Sequence, residues 1–168
     1  MQGNETQSDW RLRVRDQLTL LGHRNWIVIV DSAYPLQTSP GIETIDTGEE
    51  QLAVLDCILD AIKDSIHVRP LVYIDAELEH VREEEARGVD RYRERLKERL
   101  TGLADEAILH ERLIDRLNEA GKSFKVLILK TTMAIPYTSV FLELDCKYWS
   151  ATAEARLRRQ MNPSQERI

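Results

Sequence analysis

His23 and Asp31 stand eight residues apart at the two ends of an apolar run, Trp26-Ile27-Val28-Ile29-Val30. An imidazole changes charge near neutral pH, so it can both give and take a proton, and a carboxylate accepts hydrogen bonds from hydroxyl-rich ligands. A run with no polar residue and many β-branched side chains reads as a central strand covered on both faces. Asp31 leaves this strand into a turn held by Pro35, and the carboxyl ends of strands in α/β sheets open into the crevice where ligands bind. His23 follows Gly22, which reads as the stop of a preceding helix. Chemistry is therefore expected where the strand surfaces. Taken alone, each residue also has a plainer use: an imidazole past a helix end complements the dipole, and an aspartate past a strand serves as a turn or N-cap residue.

The elements that must position these groups follow from periodicity. Leu and Val at helical spacing predict an amphipathic helix over Trp10 to Leu21, stopped by Gly22. Tyr34 to Gly48, with Pro35, Ser39-Pro40-Gly41 and Thr47-Gly48, reads as a loop carrying a short extended piece at Ile42, Thr44 and Ile45. Leu52, Leu55, Ile58, Leu59 and Ile62 share one face of a helix over Glu49 to Ile66. Leu71 to Ala76 reads as a second buried strand, and Lys125 to Lys130 and Ser139 to Leu144 as two more. Between them Glu77 to Leu100 is dominated by Glu and Arg three or four apart, a solvated helix interrupted at Gly88, and Thr101 to Ala120 continues as helix until Gly121. Ser150 to Ile168 reads as a short amphipathic helix and a polar tail. This order predicts one α/β domain with a mainly parallel sheet covered by helices.

Composition narrows the function classes. The chain has 168 residues and a formal net charge of -6, with an isoelectric point near 5.3, so no basic face is large enough to bind nucleic acid or anionic membrane by counterion release. Met1 to Asp9 is polar, without the apolar centre of a signal peptide, and no apolar run approaches the roughly 20 residues that span a bilayer. A cytoplasmic location is the expectation. Cys57 and Cys146 read as buried free thiols. The four histidines form no i, i+4 pair, so no zinc motif is expected, and no glycine-rich loop precedes a helix as in a phosphate cradle. His67 and His80 read as surface residues, and Asp75 as a structural turn residue. No second acid is tied by a motif to Asp31.

Leu21-Gly22-His23, then Asp31, then Pro35 four residues later, resemble the N-terminal signature of the ribose pyranase and fucose mutarotase (RbsD/FucU-like) family, and Pro136-Tyr137-Thr138-Ser139-Val140 resembles its C-terminal Tyr-x-Asn strand entry. The resemblance runs from about Leu12 to Leu144. It implies a three-layer α/β fold and a cytoplasmic enzyme that interconverts the cyclic forms of a free monosaccharide, with no cofactor and no metal. It implies His23 as proton donor and Asp31, Tyr137 and Ser139 as sugar-binding residues. A basic side chain of the family's site falls at His110 or, in another register, at Glu106. For His110, a solvated pair with Glu106 on a shared helix face remains the alternative. Ser139 stands where the family has an asparagine and offers one donor instead of two. The charged helix over 77–100 and the segment over 147–168 are additions to the pattern, within a single domain over 1–168.

Two other classes stay open. A non-catalytic sugar-binding or regulatory protein would use Asp31 and Tyr137 without His23, and a helical scaffold would use 77–100 as its working surface. A straight strand rising about 3.3 Å per residue would put His23 and Asp31 roughly 26 Å apart, too far for one small sugar. If both act on one substrate, neighbouring subunits of a closed ring must pair them. The resemblance also implies a ring-like homo-oligomer with sites at subunit contacts.

Overall fold

The computed structural model describes residues 5–162, with side chains from Trp10 onward. Among the described residues six strands form one sheet: β1 (Trp26–Val30), β2 (Ile42–Asp46), β3 (Val68–Asp75), β4 (Asp105–Ile108), β5 (Val126–Lys130) and β6 (Val140–Cys146). Their order is β2-β5-β1-β6-β3-β4. β1 and β2 each run parallel to β5, and β3 runs parallel to β4, while β6 is antiparallel to both β1 and β3. Five strands therefore point one way, with β6 alone opposed, and the carboxyl ends of β1, β3 and β5 share one edge of the sheet.

Alternation along the strands divides the core into two layers. Ile27, Ile29, Leu127, Leu129, Val140 and Leu142 face α1 (Glu5–Leu18), α2 (Gln51–Asp64) and α3 (Val89–Leu100). Trp26, Val28, Val30, Val126, Ile128 and Phe141 face Leu113 and Leu117 of α4 (His110–Ala120). Helix, sheet and helix make the three-layer α/β fold expected. α5 (Ala151–Met161) buries no residue. The last six residues of the expected C-terminal extension lie outside the described ones. Among the described residues no helix is long and apolar enough to cross a membrane.

Several expectations are corrected. α1 ends at Leu18, ahead of Gly22, because Gly22 instead opens a turn, its N–H donating to Asn25 Oδ1 at 2.8 Å and its carbonyl accepting from Asn25 N at 3.2 Å. β3 lies next to the edge strand and is buried only at Val68, Val72 and Asp75. The charged stretch is not one solvated helix. A 3-10 turn covers Ala76–His80, and Gly88, with φ +94, starts α3 while Glu83 accepts from Gly88 N and Asp90 N. Val89, Tyr92, Leu96 and Leu100 of α3 join the core, so its pattern is amphipathic beneath the charge. Helix does not continue from Thr101: Gly102, with φ +83, reverses the chain, and Asp105–Ile108 pairs with β3 as the edge strand before α4 begins. His67 is half-buried and sits 3.0 Å from the carbonyl oxygens of Leu18 and Leu21 at the end of α1. Both cysteines are free and half-buried rather than fully buried.

Phe141 links this core to the carboxyl edge of the sheet, since its ring is fully buried and packs near both Tyr34 and His110. Truncating it to Ala is expected to destabilise the fold by about 3–5 kcal/mol through lost burial and a residual cavity. Denaturant unfolding of Phe141→Ala checks this value.

Candidate functional site

The carboxyl edge of the sheet gathers groups that are far apart in sequence. Asp31 is the first residue past β1 and Asp75 the last of β3. The register places Tyr73 opposite Phe141 and Ile74 opposite Val140; one step further, Asp75 stands across from Ser139, on the face covered by α4. His110 is the first residue of α4. Its Nδ1 lies 2.8 Å from Asp75 Oδ1, and its backbone N–H donates to both carboxylate oxygens of Glu77 at 3.1 Å. Glu77 thereby satisfies a backbone donor that the helix start leaves without an internal partner.

Aromatic rings wall the imidazole. Tyr34 and Tyr137 meet it edge to face at centroid distances of 5.9 and 5.6 Å, with interplanar angles of 82° and 87°. Tyr137 adopts φ +58, a left-handed conformation uncommon for a large side chain,. The next residue explains how that conformation is held: the Thr138 carbonyl accepts from Tyr92 Oη at 2.6 Å and from Gln51 Nε2 at 2.7 Å. Helices α2 and α3 thus fix the loop that presents Tyr137. Ser139 is buried beneath it, and its Oγ, like Asp75 Oδ2, has no hydrogen-bond partner among the described residues.

Burial and charge shift the titrating groups. Burial pushes the Asp31 carboxyl up, while backbone N–H groups and the charges of His110 and Lys130 pull it back. Burial likewise raises Asp75, against the pull of His110. The hydrogen bond to Asp75 raises His110 above the ordinary 6.5, outweighing its own desolvation. Burial raises the Tyr34 hydroxyl, so it stays protonated at neutral pH.

A pH dependence of stability follows. Asp75 and His110 both bind a proton more tightly in the folded chain than in the unfolded one, so their contribution is fully present below the unfolded values of 3.8 and 6.5 and is lost as pH rises through each folded value. Unfolding midpoints are therefore expected to fall as pH rises past 6.5, through the raised His110 titration. Replacing His110 by Gln is expected to remove that fall, which chemical denaturation across neutral and mildly alkaline pH measures.

The sequence-derived candidates separate into two groups. Asp31, Tyr137, Ser139 and His110 converge on this edge. His23 is exposed and precedes β1, so it lies at the opposite edge of the sheet. Glu106 is exposed on β4 opposite Tyr73. Asp75 and Glu77 belong to the cluster although sequence reasoning left Asp75 as a turn residue. A signal was present, because β3 is, like β1, an apolar strand that runs directly into an aspartate. Clefts of about 740 and 690 Å³ line α3 and the Gly102 turn, and neither includes Asp31, His110 or Tyr137; the edge cluster is a candidate site by its chemistry. Among the described residues no three His, Cys, Asp or Glu side chains are grouped to hold a metal ion.

The fold has counterparts among solved structures. RbsD of Bacillus subtilis, solved in complex with D-ribose, superposes with a TM-score of 0.55 at 19% identity, over 79% of this chain and 91% of that one. The chain has the RbsD/FucU-like fold. The fucose mutarotase of Streptococcus pneumoniae, solved with L-fucose, matches at 0.52 and 19% identity, over 84% of this chain and 94% of its own. FucU of Bifidobacterium longum matches at 0.51 and 20% identity, over 80% and 94%. No family model matches the sequence, and no curated protein matches it. In this chain the strands that carry the two aspartates flank β6, and α4 packs on the same sheet with its first residue, His110, reaching Asp75.

Proposed function

We propose that the protein is a cofactor-independent monosaccharide mutarotase or pyranase acting in the cytoplasm, in which His23 donates the proton and Asp31, Tyr137, Ser139 and His110 form the sugar-binding side. The observation that carries this reading is the convergence of Asp31, His110 and Tyr137 at the carboxyl ends of the parallel strands on an RbsD/FucU-like fold. Ring opening of a cyclic sugar takes the proton from the anomeric hydroxyl, breaks the bond from the anomeric carbon to the ring oxygen, and places a proton on that oxygen. Atoms and electrons balance within the sugar and its two proton-transfer partners. Such a step needs a proton acceptor and a proton donor, which a carboxylate and an imidazole can supply.

The site is proposed to form between copies of the chain. Leu36, Leu109 and Tyr137 are exposed beside the cluster, and Leu20 and Ile66 are exposed at the edge where His23 lies. Exposed apolar side chains at both edges suit a head-to-tail contact, which closes into a ring when the rotation allows. That contact would carry His23 of one chain to Asp31 and His110 of the next.

Exchange NMR with a panel of free pentoses and hexoses tests the activity. Accelerated interconversion of pyranose and furanose, or of α and β forms, is expected for at least one sugar without added cofactor. A panel in which none is accelerated overturns the reading. The separation of His23 from the cluster within one chain favours a second reading, a non-catalytic sugar-binding or regulatory protein, which predicts sugar binding with no acceleration.

A further inference from the structure

Asp75 is an unusual residue for a purely structural position. It ends β3 with its side chain wholly buried, and a buried carboxylate is unfavourable unless it is paired. Among the described residues its one side-chain partner is His110, whose ring sits across the carboxyl end of the sheet. Asp75 holds the imidazole at Nδ1, Tyr34, Tyr137 and Phe141 meet the ring at interplanar angles of 82°, 87° and 71°, and Glu77 fixes the backbone of the same residue through its N–H. Rotating the ring would displace three aromatic neighbours. Nε2, in contrast, has no hydrogen-bond partner among the described residues.

We propose that Asp75 is a positioning residue: it locks His110 with the proton on Nδ1 and so presents Nε2 to a sugar oxygen. This rests on the sugar-exchange reading of the same site. A neutral imidazole held in this tautomer accepts from a hydroxyl through Nε2, and once protonated it donates there, so the partner on Nδ1 decides what the outward nitrogen can do. The arrangement follows the logic by which a buried carboxylate orients a catalytic imidazole without itself giving up or taking a proton.

The charged and titratable groups around His110 come from every element packed on it. Asp75 lies on β3, Glu77 on the 3-10 turn, Glu111 on α4 and Asp31 beyond β1, while Tyr34 and Tyr137 come from loops. Lys130 of β5 and the positive end of α4 oppose the acids,. The acids prevail, and the hydrogen bond to Asp75 is the largest influence holding His110 above its ordinary titration.

The test compares the wild-type protein with Asp75→Asn and Asp75→Ala, using ring-nitrogen NMR of His110, assigned with His110→Gln, alongside sugar exchange. In the wild type His110 is expected to carry its neutral-form proton on Nδ1 and to titrate above 6.5. Asn keeps an acceptor oxygen but removes the charge, so the tautomer should persist while the titration moves down and the pH profile of exchange moves with it. Ala should lose both tautomer and titration, and exchange should fall by about 10²-fold, the lower end of what a positioned acid-base group contributes. Should the Ala variant fail to fold, the near-isosteric Asn variant decides. A His110 titration in Asp75→Asn identical to that of the wild type would overturn the proposal, as would a Nδ1-protonated tautomer that survives in a folded Asp75→Ala variant or an unshifted pH profile of exchange. Absence of exchange in the wild type would overturn the functional reading alone, and the His110 NMR would still decide the positioning.

Discussion

Replacing His23 by Ala is expected to slow sugar exchange by about 10²- to 10⁴-fold, the usual contribution of a positioned acid-base group, with a much smaller effect on sugar binding. The structure makes this substitution informative because His23 is exposed and lies outside both core layers. Folding should be unaffected, so a loss of rate reports chemistry rather than unfolding. Binding should survive because Asp31, His110 and Tyr137 stand at the opposite edge of the sheet. Exchange NMR supplies the rate, and titration calorimetry with the active sugar supplies the affinity. An unchanged rate would sink the role of His23 and transfer the proton chemistry to His110, the imidazole beside Asp75. A wild type that binds sugar without accelerating exchange would instead support the non-catalytic reading.

How much of this was legible in the sequence depends on where the information was stored. β1, β5 and most of β6 were visible because central strands covered on both faces must be continuously apolar. β4 was hidden for the converse reason: three of its four residues, Asp105, Glu106 and Ala107, are exposed, so an edge strand of this kind carries almost no hydrophobic signal. The core face of α3 was masked in the same way, with Val89, Tyr92, Leu96 and Leu100 spaced helically inside a run of Arg and Glu. Asp31 was legible from its place after an apolar strand. Asp75 has the same placement, but its partner His110 is 35 residues away, a pairing that no local spacing encodes. The resemblance to the RbsD/FucU-like family directed attention to His110 and Tyr137. It could not supply Asp75, which lies outside the quoted motifs. His23 shows the opposite limit, since its spacing from Asp31 was plain while the pairing it suggests cannot occur within one straight strand.

That limit leads to a result no single-chain arrangement can produce. Chains carrying His23→Ala and chains carrying Asp31→Ala are each expected to be nearly inactive as pure assemblies, because every contact between copies would lack one of the two groups. Co-assembled from denatured monomers in equal amounts, they should regain activity. A contact is complete when the chain that offers the His23 edge is the Asp31→Ala chain and the chain that offers the other edge is the His23→Ala chain. Random mixing in a head-to-tail ring makes about one contact in four complete, so recovery should approach roughly a quarter of the wild-type rate. The exposed Leu20 and Ile66 at one edge and Leu36 and Leu109 at the other supply the apolar surfaces through which such a contact would form, and substituting Leu36 by a charged residue should abolish recovery together with assembly. Mass measurement of the mixed species establishes that both chains share one ring. No recovery in verified mixed rings, or full activity in a wild-type monomer, would remove the shared site. His23 would then have to act alone at its own edge of the sheet, or the chemistry would belong to Asp31 and His110 within a single subunit.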